Sequence, residues 1–220
     1  MNLHQLWLIT RYSFTEIWRN KTFRVAFMVL IPLLIAYQVS FQSDMFNIPV
    51  EYTLVLSSFI PTQNAYMFNL LLVFPLATMG FWVHKQKKYN TLEALLVHPQ
   101  GNDTYSTGFI LGIIIAFMIM GSISLALAGL INLFASPTSF RPLIYLFYLV
   151  TLILPTIVFI VGITSFLAAR CFKNGTVTTF FMLVYLSVDI LFLSTLYHGL
   201  FDPLGILLPY TFSDFTGIAD

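Results

Sequence analysis

Five stretches of the chain are apolar for long enough to cross a hydrocarbon layer as helices, at roughly 24–43, 65–83, 106–134, 142–169 and 176–198. Pro32, Pro75 and Pro155 lie inside three of them. Buried membrane helices tolerate proline because neighbouring groups satisfy the carbonyls it frees, so kinks are expected there. Two further runs are helical in pattern but too polar or too short to span. Residues 1–22 are amphipathic, with Leu3, Leu6, Trp7, Phe14, Ile17 and Trp18 on one helical face and Arg11, Glu16 and Arg19 away from it. Such a helix lies in the headgroup plane with its tryptophans at the boundary. It acts as a plain anchor, or as a lever joined to the first span.

The second run covers 90–99. Asn90 can cap a helix while Glu93, three residues on, reaches back in a capping box and complements the helix dipole. Leu92, Leu95 and Leu96 share one face, and Pro99-Gln100-Gly101 ends the run. An isolated helix of this length is marginal in water, so it needs a surface. That surface is the membrane and the protein's own helix ends, or a groove in a separate cytoplasmic protein. The closing stretch, 199–220, holds Pro203 and Pro209 among scattered acids. It is too broken for a span and too apolar for a loose tail, and reads as an extracytoplasmic or re-entrant segment. The expected architecture is all-α: one transmembrane domain over 1–220, a polytopic bundle of about five spans with an interfacial helix and a short cytoplasmic helix.

Composition agrees. Of 220 residues 58% are hydrophobic and 9% charged, where soluble domains carry about a quarter charged residues. The net charge of +1 offers no nucleic-acid surface. Its distribution is more telling than its size. Arg11, Arg19, Lys21 and Arg24 precede the first span, Lys85, Lys87 and Lys88 follow the second, and Arg170 and Lys173 follow the fourth. Nine of the ten basic residues thus lie at alternate ends, with Arg141 opposite. The positive-inside rule puts the N-terminus and the 84–105 loop in the cytoplasm, as in a bacterial inner membrane. No cleavable signal sequence is evident, so the first span is expected to serve as its own insertion signal. Cys171, the only cysteine, excludes an internal disulfide and reads as a small structural thiol.

Candidate chemistry is sparse. No Gly-x-x-x-x-Gly-Lys-Ser/Thr loop is present, so the chain has no such means of binding and hydrolysing ATP. His4, His84, His98 and His198 lack metal-ligand spacing, and no nucleophile–base constellation is evident. The chain is expected not to be an enzyme and to hold no cofactor. Asp189 is the one acid well inside a span; such a charge marks a pathway, or is neutralised structurally by protonation or by Tyr185 or Ser187. Gly108 and Gly112, at the start of the third span, allow a close helix approach, although that spacing also arises by chance in an apolar chain.

The basic stretch followed by "NTLEALLVHP", a small polar gap and a long span resembles the permeases of type-2 ATP-binding cassette exporters. Thr91, Leu92, Glu93, Leu95, Leu96 and Pro99 match that family's pattern, with Asn90 where glycine is usual. The order of elements is similar over nearly the whole chain. The resemblance implies that 90–99 is a coupling helix seated in a nucleotide-binding subunit. Thr91, Leu92, Glu93, Leu95 and Leu96 would receive the movement that ATP drives, and 170–175 would make a second contact. It implies a cytoplasmic ATP-binding partner, which binds the ATP, a second permease unit and contact with membrane lipid. The family has six spans per half, so a sixth helix is expected from a longer or split chain. The alternative is a non-transporting membrane scaffold or sensor whose short helix docks a cytoplasmic partner.

Overall fold

Helix dominates the computed structural model, which describes residues 3–44, 60–72, 102–135, 140–167, 211–213 and 217–219 and the single positions 177, 180, 181, 183, 184 and 187. In chain order the elements are α1 (Leu3–Arg19), α2 (Lys21–Asp44), α3 (60–72), α4 (Asn102–Ala135), α5 (Pro142–Tyr148), a π-helical turn (Leu149–Ile153) and α6 (Leu154–Phe166). Two three-residue strands, β1 (Thr211–Ser213) and β2 (Gly217–Ala219), pair antiparallel with Phe212 opposite Ile218. Apart from this small ribbon the described residues are helical, in keeping with the all-α expectation.

Among the described residues three helical stretches are long and apolar enough to cross a membrane: Phe23–Gln42, Thr104–Phe134 and Pro142–Phe166, the last made of α5, the π turn and α6. They coincide with three of the five expected spans. Of the second span, 65–72 is helical, and the helix already includes 60–64, ahead of the expected start. Its remainder, most of the fifth span, the 90–99 helix, the 170–175 loop and Asp189 lie outside the described residues.

The chain divides into two compact units, one of Met1–Phe27, Leu72–Phe117 and Ile157–Leu191, the other of Met28–Leu71, Met118–Thr156 and Phe192–Asp220. In the first, α1 and α2 are separated by Asn20 alone. The Asn20 N–H bonds back to the Ile17 carbonyl, and its own carbonyl accepts from Arg24 N–H, both at 3.0 Å. The Arg24 guanidinium donates to the Arg19 carbonyl at 3.1 Å, serving one of the acceptors left over where α1 ends. Trp18 fills the inside of this elbow, its ring centroid 5.8–5.9 Å from those of Phe14, Phe23 and Phe27. Each such ring pair contributes about 0.5–1.5 kcal/mol. Trp18→Ala is accordingly expected to destabilise the protein by about 2–3 kcal/mol, read as a lower melting temperature in lipid nanodiscs, with Trp18→Phe recovering much of the loss.

The second unit includes α4 from Met118 onward. Helix α2 buries Leu30, Leu34, Gln38 and Gln42 along one face, while Val29, Leu33 and Val39 are exposed on the other. Apolar exposure of this kind suits a helix with lipid on one side. Helix α2 runs unbroken past Pro32. Pro155 has a more visible consequence. It brings no N–H, and its ring crowds the preceding turn; that turn, Leu149–Ile153, is π-helical, with the Leu154 N–H reaching the Leu149 carbonyl. Side chains supply donors at the break. The Thr156 hydroxyl donates to the Leu152 carbonyl at 2.8 Å, and the Asn69 amide from α3 reaches the same carbonyl at 3.4 Å and Thr156 Oγ1 at 3.2 Å. The expected disturbance at Pro155 therefore takes the form of a widened turn, held by polar side chains on two helices.

Candidate functional site

Two arrangements in the structure bear on function, one in each unit. The first is a close crossing of α1 and α4. Helix α1 buries Ile9, Ser13 and Ile17, spaced four residues apart, so they form one stripe. Facing it on α4 are Gly108 and Gly112. A Cβ built on Gly108 would lie 2.8 Å from Ile9 Cγ2, and one on Gly112 would lie 2.7 Å from Ser13 Cβ and 2.8 Å from the Thr10 carbonyl oxygen. The two glycines are thus the bed of α1. The helix packed against them is the amphipathic one.

This contact changes which face of α1 does what. The face expected at the membrane boundary includes Leu3, Trp7 and Trp18, exposed at 75%, 55% and 37%, and also Ile17, which is buried. The stripe through Ile9, Ser13 and Ile17 docks on the protein because the glycines leave a groove fitting small and β-branched side chains. Leu3, Trp7 and Trp18 occupy the neighbouring face, and the Arg11 guanidinium lies over the Trp7 ring, 5.3 Å from its centroid. Protein on one face, exposed aromatic surface on the next and charge beyond it is the arrangement an interfacial helix requires. Helix α4 has length for this. Its 34 residues extend for about 51 Å, well beyond a hydrocarbon core of about 30 Å. A span of this length projects past the apolar layer at one end or both, and the α1 contact lies near the N-terminal end.

The second arrangement is a set of buried amides and hydroxyls in the other unit. Gln42 donates to Gln38 Oε1 at 3.1 Å and to the Ala128 carbonyl at 3.3 Å. Ser124 donates to Asn64 Oδ1 at 2.8 Å, and Asn132 donates to the Tyr145 hydroxyl at 3.1 Å. Ser124, Ala128 and Asn132 recur every fourth residue on α4, so successive turns of one face bond to α3, α2 and α5 in that order. Sequence reading passed over these residues. The available signal was a pair of glutamines at i and i+4 in an otherwise apolar helix, since polar side chains in spans mark interhelical bonding or a polar path.

Neither arrangement includes Thr91, Leu92, Glu93, Leu95, Leu96 or Asp189, all outside the described residues. Among the described residues no group of His, Cys, Asp and Glu side chains is placed to hold a metal ion. The class the structure is consistent with is a polytopic helical membrane protein, with three helices fit to span. Comparison with protein-family models returns no match, and comparison with curated proteins returns none either.

Proposed function

We propose that the chain is the membrane-spanning permease subunit of an ATP-binding cassette exporter, residing in the plasma membrane of a bacterium with its N-terminus in the cytoplasm. The observation that carries this reading is the run at 85–100, with its three lysines, capping box, leucine face and terminal proline. A helix of that kind needs a partner surface, and the family resemblance identifies it as a separate ATPase subunit. ATP binding and hydrolysis belong to that subunit. A second permease unit completes the pathway, and Asp189 contributes to its polar lining.

The crossing of α1 and α4 supports the mechanical side of the proposal. Helix α4 starts at Asn102, directly after the 90–99 run, and Gly108 and Gly112 hold α1 within its first turns. A displacement of 90–99 by the ATPase is then delivered to the start of α4 and shared with α1. Tight backbone packing transmits such motion because interiors are not compressible.

The test is association and turnover. Copurified ATPase activity is expected with the wild-type chain and is expected to be lost in Leu95→Asp, which puts a charge into the docking face, and in Glu93→Lys, which removes the capping carboxylate and reverses its charge at the helix start. Undiminished association and coupled turnover in both variants would refute the coupling assignment.

A further inference from the structure

Gln38, Gln42, Asn64 and Ser124 are each no more than 1% exposed. The orientation of Gln42 follows from its neighbour. A backbone carbonyl only accepts, so the atom facing the Ala128 oxygen is the amide nitrogen. That nitrogen also donates to Gln38 Oε1, which turns the Gln38 nitrogen to the other side of its amide. Gln42 Oε1 and Gln38 Nε2 are left as a buried acceptor and a buried donor with no partner among the described residues. Asn64 has its oxygen on Ser124 and leaves Nδ2 as a second buried donor. Since Ser124 and Ala128 are separated by one turn of α4, about 6 Å of rise, the Gln42 and Asn64 amides attach to one face at successive turns.

Polar atoms in apolar surroundings carry a large desolvation cost unless they are hydrogen-bonded. The group that answers this set is neutral, because the buried polar side chains described include no carboxylate, ammonium or guanidinium. It must both donate, to Gln42 Oε1, and accept, from an amide nitrogen. We propose that these four side chains form an internal hydration site in the helix bundle, with water donating to Gln42 Oε1 and accepting from Gln38 Nε2 or Asn64 Nδ2. Buried waters typically make about two to four hydrogen bonds, a range this set meets. A hydroxyl of a transported molecule offers the same donor and acceptor and would take the water's place. The site stands independently of the exporter reading.

Radiolytic footprinting of the protein alone in lipid nanodiscs tests it, because hydroxyl radicals formed from a bound water oxidise the side chains beside it. Met120 is fully buried and one turn before Ser124 on the same face of α4, while Phe117 is equally buried. Met120 is expected to be oxidised despite its burial, with Phe117 unmodified. In Gln38→Met/Gln42→Met, which keeps volume and removes the amides, Met120 oxidation is expected to disappear with the melting temperature unchanged or raised. Wild-type protein with Met120 unoxidised overturns the proposal whatever the variant does, and so does oxidation that persists in the folded double variant. Passenger-free protein reports only on water; labelling lost on adding a hydroxyl-bearing passenger identifies the second source and supports the site.

Discussion

Gly112→Leu is expected to detach α1 from α4 and cost more stability than any other single change considered. The added Cβ alone would lie 2.7 Å from Ser13 Cβ, 2.8 Å from the Thr10 carbonyl oxygen and 3.0 Å from the Phe14 nitrogen. Two of these are backbone atoms, so no rotamer change relieves the collision, and α1 has to move as a body. Overpacking of a few methylenes costs about 1–3 kcal/mol where side chains can adjust. Here they cannot, and about 3 kcal/mol or more is the expected loss. Gly112→Ala shows the same sign at smaller size, because the improved helix propensity returns at most about 1 kcal/mol. Gly162 in α6 provides the contrast, with nothing among the described residues within 4 Å of its added Cβ. Gly162→Ala should leave stability unchanged or raise it by up to about 1 kcal/mol. Melting in nanodiscs ranks the three variants. Trypsin reports the docking directly, since Arg19, Lys21 and Arg24 flank the elbow and should become cleavable once α1 lifts. A Gly112→Leu protein with wild-type melting and an uncut elbow would show that the crossing does not exist.

Asn69→Ala is the second large effect. Asn69 is fully buried and its amide serves both the Leu152 carbonyl and Thr156 Oγ1 across from α3. Removing it leaves an acceptor short of donors next to a proline and opens a void. The expected loss is about 2–3 kcal/mol, from hydrogen bonds worth about 1 kcal/mol each and the cavity. The mechanism makes a sharper statement than the magnitude. Pro155→Ala restores an N–H to the widened turn and lets the helix return to α geometry. The two changes should therefore be strongly non-additive in a double-mutant cycle, with Asn69→Ala costing less when Pro155 is already alanine. Strict additivity would separate the polar contact from the helix break.

Sequence alone located the spans at 24–43, 106–134 and 142–169 to within a few residues. Hydrophobic length against bilayer thickness is a local property of the chain, and so is the change from an amphipathic run to an apolar one, expected between 22 and 24 and found at Asn20. The glycines at 108 and 112 were legible as a close approach, because only a missing side chain permits one. Their partner was not legible: the mate of α4 there lies about a hundred residues earlier in the chain, and spacing says nothing of who fills a groove. For the same reason the sequence assigned α1 an apolar face for the membrane boundary, with Leu3, Trp7, Ile17 and Trp18, but not the stripe of Ile9, Ser13 and Ile17 that is buried, with Ile9 and Ser13 against the glycines. Amphipathicity measures contrast with water, and lipid and protein interior answer it equally well. The buried amides depended still more on the fold. Gln42 and Ala128 are 86 positions apart, and Asn64 and Ser124 are 60 apart. A hydrogen bond is decided by distances of a few tenths of an ångström, which packing sets and no local pattern records. What the sequence determined was where this chain is apolar, where it turns and where its positive charge collects; tertiary packing alone decided which small and polar side chains meet.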